Sequence, residues 1–454
     1  MKRTVVLYPG LAASHFTPMV ELADVFLDHG YAVTVVLINP SVKEDDAAFT
    51  AVVARAVSSK TSISFHMLPR IPDPPSLAFN DRASTPSSWT HRAASPLKLR
   101  GSWESLSWEF YPSDAGGLAV NLQVPLLIDG FKKHLGGDTT PVEFLGVPPM
   151  SGSHLASLFG PIREVNKDLE AMMFAGARGT AEFDGILINT SVSLENRALR
   201  ALADPRCCPG GAVLPPVYAM GPLVDKAGAA GDDSSRHECL VWLDGQPDRS
   251  VVFLCFGSIA DAGNLAEQQL REIAAGLDKS GHRFMWVVRR APSTEHLDAL
   301  GPEGFLARTS GRGVVVNSWV PQPSILRHRA TAAFVTHCGL RVELGAGGDH
   351  RGVPMLCWPL YSEQRINKVL VVEDMGVGVE MEGWLEGLVT ASEVEAKVRL
   401  VMESEKGRKL RERVEAHREA AAMALNDGGS SRAAFAQLLS DIDDAHGKQS
   451  SASV

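Results

Sequence analysis

The chain has little of what several function classes need. It has no surplus of positive charge: 44 lysines and arginines against 53 aspartates and glutamates leave a net charge of −9. Attraction to a phosphate backbone is not built in, which argues against nucleic-acid binding. An anionic nucleotide could still meet a locally positive site such as a helix N-terminus. No apolar stretch is long enough to span a bilayer, and the apolar run that follows Met1 is too short for a signal peptide, so a cytoplasmic protein with no membrane span is expected. The six cysteines are scattered, with Cys207 and Cys208 adjacent and no C-x-x-C pair. Cys255, Cys338 and Cys357 sit in or beside apolar runs, where reduced, buried thiols belong. No cluster with metal-ligand spacing is visible, and no repeat of solenoid period. A G-x-G-x-x-G fingerprint is missing too, which sets aside a dinucleotide-dependent oxidoreductase.

What is present is strand–helix alternation, twice over. With 454 residues, 45% hydrophobic and 21% charged, the chain has room for two soluble domains of roughly 200 residues each. Thr4–Tyr8 reads as a first parallel strand ending at Pro9-Gly10. Thr17 then reads as the cap of a helix with Pro18 at its first position and Met19, Val20, Ala23, Phe26 and Leu27 at helical spacing. Tyr31–Ile38 and Ile63–Leu68 follow as strands. Residues 71–109 show no period and read as loop-rich. Ala115–Leu122 is helix-like, and Gly185–Asn189 and Pro215–Leu223 are strands. The Gly, Ala, Asp and Ser of 224–236 form a solvated linker. Alternation then restarts, with strands at Ser250–Phe256, Phe284–Val288 and Val314–Asn317 and a helix over Asn264–Gly281. Helices are expected over Ala391–Glu403, Glu405–Leu425 and about Arg432–Asp443. The expected division is a domain over 1–223, a linker over 224–236, a second domain over 237–443 and a frayed tail over 444–454, in the α/β class.

The stretch from Trp319 to Gln364 carries the densest signal. Two apolar runs, Ala332–Val335 and Val353–Cys357, read as strands buried on both faces. Thr336, His337, Cys338 and Gly339 follow the first, and Tyr361 to Gln364 lie shortly after the second. Ligands of open α/β sheets bind at such carboxyl ends. The motifs W-x-P-Q, I-L-x-H, F-x-T-H-C-G, G-V-P-x-x-x-W-P and E-Q occur here in order. The segment resembles the signature box of the plant family 1 UDP-glycosyltransferases of secondary metabolism. The segment P-G-L-A-A-S-H-F-T-P-M-V-E-L-A around His15 resembles that family's N-terminal motif.

The resemblance implies a GT-B fold: two facing Rossmann-like domains with a cleft between them, the first for the acceptor and the second for the nucleotide-sugar. It implies transfer of a sugar, glucose by the weak hint of Gln364, from a UDP-sugar to a hydroxyl of a small plant phenolic such as a flavonoid, with inversion. The UDP-sugar is a co-substrate, no metal or other cofactor is implied, and a monomer is expected. His15 matches the base that deprotonates the acceptor. Trp319 matches the face on which the pyrimidine stacks, and Gln322 the contact to the ribose region. Ser258, His337 and the Gly339 amide match the diphosphate contacts, and Glu363 and Gln364 the acid–amide pair that binds the sugar hydroxyls. Taken singly, each has a plainer explanation. Trp319 and Trp358 could be core aromatics, Glu363-Gln364 a surface pair, and His15 a loop histidine that packs or caps.

Two departures keep a rival reading open. Where the family carries ten residues opening with Trp-Asn-Ser and containing a glutamate, this chain has twelve, LRVELGAGGDHR at 340–351. The family's Trp-Asn-Ser-Val-Leu-Glu-Gly can be written TGG AAC TCG GTG CTG GAG GGC. Preceded by a G and read one base out of frame, it gives Val-Glu-Leu-Gly-Ala-Gly-Gly, the residues at Val342–Gly348. A local frameshift in the gene or its reading accounts for the match. The second departure is the segment Arg100–Glu109. It stands where the family has a Val-rich strand ending in the aspartate that orients the catalytic histidine, and no aspartate here matches it. A missing strand should leave a gap in the first domain's sheet. The rival is therefore a catalytically impaired or non-enzymatic member of the fold, or the product of a faulty gene model.

Overall fold

The computed structural model describes residues 3–9, 13–38, 46–68, 106–127, 140–156, 167–224, 237–257, 265–288, 302–339, 352–361 and 363–452. The chain forms two compact units, one comprising Met1–Asp225 with Ala421–Val454 and the other Lys226–Ala420.

The first unit opens with β1 (Thr4–Leu7), helix α1 (Ala13–Asp28), β2 (Ala32–Ile38), helix α2 (Asp46–Ser59) and β3 (Ser64–Leu68). These strands pair in parallel in the order β1-β2-β3, with Thr4 opposite Ala32 and Thr34 opposite Ser64. Alternation sets the buried face of β2, where Val33, Val35 and Leu37 point into the core. Phe16, Met19, Val20, Ala23 and Phe26 are the stripe of α1 that covers them.

Three more parallel strands follow: β4 (Trp108–Tyr111), and, after a short antiparallel ribbon of β5 (Pro141–Val142) and β6 (Met150–Ser151), β7 (Gly185–Ile188) and β8 (Val217–Ala219). Their order is β4-β7-β8. Helix α3 (Ala115–Gln123) starts at the N-cap Asp114, whose carboxylate accepts the Gly117 N–H. The buried Glu195 of helix α4 (Val192–Leu202) accepts the next two orphan donors, Ala115 N–H and Gly116 N–H, each at 3.0 Å. Two carboxylates thus close one helix N-terminus, where the macrodipole favours negative charge.

The two three-stranded sheets share one core. Leu7, Val33, Val35 and Leu37 of the first lie in the same cluster as Leu187, Tyr218 and Met220 beside the second. Among the described residues, however, no strand pairs with the second edge of β1 or with the second edge of β4. Val6 in β1 is 63% exposed and Tyr8 just beyond it 42% exposed, which is unusual for an early parallel strand normally covered on both sides. The strand gap expected from the departure at Arg100–Glu109 concerns a segment that is only partly described. Trp108 and Glu109 begin β4, while 100–105 and the whole loop-rich stretch 71–105 lie outside the described residues.

The second unit is one six-stranded parallel sheet, built from β9 (Val251–Cys255), β10 (Arg283–Val287), β11 (Gly313–Val316), β12 (Thr331–Thr336), β13 (Met355–Cys357) and β14 (Gly378–Glu380). The order is β11-β10-β9-β12-β13-β14. The chain builds outward from β9 in one direction, then returns to the other side of β9 with β12 and builds the opposite way. The junction of β9 and β12 is a topological switch point. Every residue of β9, β12 and β13 is buried because both faces are covered. Val252, Leu254, Ala333 and Val335 face one side with Leu270, Ile273 and Leu277 of helix α5 (Glu267–Ser280); Val251, Phe253 and Phe334 face the other. Phe253 and Phe334 stack with centroids 5.1 Å apart, so truncating either to alanine should cost about 3–5 kcal/mol.

Among the further helices are α6 (Gln322–Arg327), α7 (Gln364–Val369), α8 (Ala391–Glu403), α9 (Glu405–Leu425) and α10 (Ser430–Ala452). Sequence pattern placed the end of the second domain at Asp443 and a frayed tail from 444. The structure carries α10 on to Ala452 and packs it on the first unit. Phe435, Leu438 and Ile442 enter that core, Tyr218 donates to Asp441 at 2.6 Å, and Ser431 donates to the Gly221 carbonyl at 2.6 Å. Among the described residues no helix is long and apolar enough to cross a membrane.

Candidate active site

The switch point in the second unit is occupied by an imidazole. His337 follows β12 directly, and its ring lies between two glycines, Gly257 after β9 and Gly339 after β12. A Cβ on Gly257 would stand 2.6 Å from His337 Nε2, and one on Gly339 2.8 Å from it. Gly257 also has φ +82°, a region that disfavours any side chain. Both positions require glycine for the same reason. Burial lowers the His337 pKa to about 4, with the Cys255 carbonyl pulling weakly the other way. The ring is therefore neutral near pH 7 and serves as a hydrogen-bonding group rather than a charge.

The following turn is tightly held. Cys338 is buried at φ +60°, its N–H donates to Thr336 Oγ1 at 3.2 Å, and its carbonyl accepts from Asn367 Nδ2 at 3.0 Å. Asn367 Nδ2 also donates to the Gly339 carbonyl at 3.2 Å. Gln364, buried at the start of α7, accepts on Oε1 from Leu360 N–H at 2.9 Å and Tyr361 N–H at 3.0 Å. With Oε1 committed to the backbone, the end it can offer a ligand is the donor Nε2. Glu363 is the N-cap residue of the same helix, and the Tyr361 ring lies 6.4 Å from the imidazole.

Trp319 follows β11 and is 52% exposed, so it is not a core aromatic. Trp358, by contrast, is buried edge-on against Phe256. Gln322 is the first residue of α6. Ser258 and the 340–351 segment lie outside the described residues. Trp319 and Gln322 follow β11, His337 and Gly339 follow β12, and Glu363 and Gln364 follow β13: all stand after the carboxyl ends of one parallel sheet. From β11 to β13 is four strand spacings, roughly 19 Å, a span suited to an extended ligand with chemically different parts.

In the first unit, His15 was expected in a loop before a helix capped by Thr17. The helix begins at Ala13 instead, so His15 belongs to its first turn, only 6% exposed, and Pro18 sits inside the helix. The Gly10–Ala12 stretch ahead of it lies outside the described residues.

Comparison with known proteins follows the same plan. A family model described as "UDP-glucoronosyl and UDP-glucosyl transferase" matches residues 214–412. UDP-glycosyltransferase 88B1 of Stevia rebaudiana is 34% identical over 96% of this chain and 97% of its own length. Phloretin 2'-O-glucosyltransferase of Pyrus communis is 35% identical over 97% of this chain and all of its own. The chain belongs to the plant UDP-glycosyltransferases. Its fold is theirs: the solved structure of UGT71G1 of Medicago truncatula complexed with UDP-glucose superposes with a TM-score of 0.76 at 26% identity, covering 97% of this chain and 98% of that one. The fold is thus GT-B, α/β with parallel sheets, and the co-substrate of the family is a UDP-sugar.

Three features of this UDP-glycosyltransferase escaped the sequence reading. Gly257 follows a strand with no motif that singles it out, although its pairing with His337 fixes it. Asn367 shows no local motif; its signal is its place three residues after Gln364 on one helix face. Lys368 is buried on α7 with its Nζ 2.9 Å from Glu380, which also accepts from Trp384 Nε1 at 2.8 Å, while Arg365 lies 5.0 Å above the Trp384 ring. This network anchors α7 beneath the turn.

Proposed function

We propose that the chain transfers a sugar, glucose, from its UDP-conjugate to a hydroxyl of a small phenolic acceptor of flavonoid type, with inversion at the anomeric carbon. The observation that carries the reading is the neutral His337 set between Gly257 and Gly339 at the switch point. Trp319 offers an exposed aromatic face for the pyrimidine and Gln322 an amide for the ribose region. His337 and the Gly339 amide donate to the diphosphate, with Ser258 assigned the same role by its place in the motif. Glu363 accepts from, and Gln364 Nε2 donates to, the sugar hydroxyls.

In the reaction, His15 takes the acceptor's proton as the acceptor oxygen bonds to the anomeric carbon. The bond from that carbon to the phosphate oxygen breaks, and UDP leaves with the electron pair. Hydrogen bonds at the phosphate stabilise the charge that develops there. The names of relatives, a phloretin 2'-O-glucosyltransferase and an anthocyanidin 5,3-O-glucosyltransferase from a Rosa hybrid cultivar among them, support the phenolic acceptor and glucose.

A second reading, donor binding with impaired transfer, rests on the two sequence departures: Arg100–Glu109 carries no aspartate matching the family's, and 340–351 departs from the family's donor box. Single-turnover assays with UDP-glucose and a flavonol panel distinguish the two. Glycoside formation that His15→Ala abolishes while UDP affinity stays unchanged supports transfer with His15 as base. UDP binding without product in any assay supports the impaired member.

A further inference from the structure

Asn367 is buried, polar and unused in the proposed reaction, yet both its side-chain hydrogen bonds end on the turn that follows His337. Cys338, the centre of that turn, is a non-glycine residue in the left-handed region, a strained conformation that persists only where neighbours impose it. Thr336 Oγ1 holds its N–H from one side, and Asn367 Nδ2 holds its carbonyl and the next one from the other. A trans peptide is planar, with its C=O and N–H pointing in opposite directions. Drawing the Cys338 carbonyl onto α7 therefore turns the Gly339 N–H to the far side, away from α7.

We propose that Asn367 is a positioning residue for the donor: by holding the Cys338 and Gly339 carbonyls it aims the Gly339 amide at the diphosphate. The proposal rests on the reading of this turn as the diphosphate site. It also explains why one short helix carries both groups. Gln364 and Asn367 lie three residues apart on α7, so sugar contact and phosphate contact are set by one rigid element. The pair Lys368–Glu380 with Trp384 fixes that element in turn.

The test separates phosphate from nucleoside. Calorimetric titrations of the full chain with UDP and with uridine give an affinity ratio that reports the diphosphate contribution. Asn367→Leu, of similar volume and without donors, should lower that ratio by about tenfold or more while uridine affinity stays the same. Gln269→Leu is the control, since Gln269 makes an equally buried amide bridge to the Val389 backbone and has no part in the turn. It should lower thermal stability and leave the ratio intact. Should Asn367→Leu not fold, Thr336→Val removes the opposite anchor and should lower the ratio in the same direction. A parent chain that binds UDP, with variants showing an unchanged ratio or an equal loss for UDP and uridine, overturns the role of Asn367 and leaves the donor site standing. A folded parent chain that binds neither ligand overturns both.

Discussion

Protonating His337 should cost this fold stability in a defined pH window. A histidine ordinarily titrates near 6.5, and burial between Gly257 and Gly339 lowers this one to about 4. Below pH 6.5 the unfolded chain takes up a proton that the folded chain refuses, so the unfolded state binds more protons and stability falls as pH falls. The contribution is complete above about pH 6.5, declines between 6.5 and 4, and levels off below. Between pH 7.5 and 4.5 the linkage relation gives about 2.5 kcal/mol, reduced to about 2 kcal/mol by the partial solvent contact the residue keeps. Carboxylates titrate in the same window, so the informative quantity is a difference. Urea unfolding of the parent chain and of His337→Gln at both pH values should show the parent losing about 2 kcal/mol more than the variant. Equal losses in the two proteins would mean that the ring is not held neutral by its enclosure, and the assignment of His337 as an uncharged donor would fall with it.

Three further outcomes follow from the same geometry. Gly257→Ala places a methyl against His337 Nε2 at a positive φ, and should lower UDP affinity at least about tenfold and stability by about 2 kcal/mol, read by calorimetry and thermal melting. Glu195→Ala leaves the Ala115 and Gly116 N–H groups buried and unmet, and should cost about 3 kcal/mol in urea unfolding; a loss below 1 kcal/mol would mean the two bonds are replaced by other acceptors. Val6→Thr should change stability by under about 0.5 kcal/mol because the side chain is largely exposed, whereas Val35→Ala in the buried face of β2 should cost about 2 kcal/mol. Equal effects at the two positions would show that the Val6 side chain is covered.

Much of the second unit was legible because its strands are buried on both faces. The apolar runs at 251–255, 331–336 and 355–357 have no polar interruption, and the polar residues after them sit where a parallel sheet binds ligands. The first unit was legible at its opening and less so beyond. Thr17-Pro18 has the chemistry of a helix start, yet the helix begins at Ala13, five residues before Pro18, and the proline stands just past the first turn, where it forgoes one intrahelical hydrogen bond. Periodicity showed that residues near the C-terminus form a helix but not which unit it joins; that depends on Phe435, Leu438 and Ile442 finding the first core, a contact with no local signature. Asn367 was silent for the same reason, since its partners lie 28 and 29 residues away.

The most direct test of the donor site is a titration of the folded full-length chain with UDP and with UDP-glucose. Binding of both in the micromolar to millimolar range, on protein whose folding is verified by circular dichroism, is the result expected of a turn that presents His337 and the Gly339 amide to a diphosphate. An absence of heat with either ligand on the same folded protein would contradict it, leaving a chain that keeps the family's fold without its donor site.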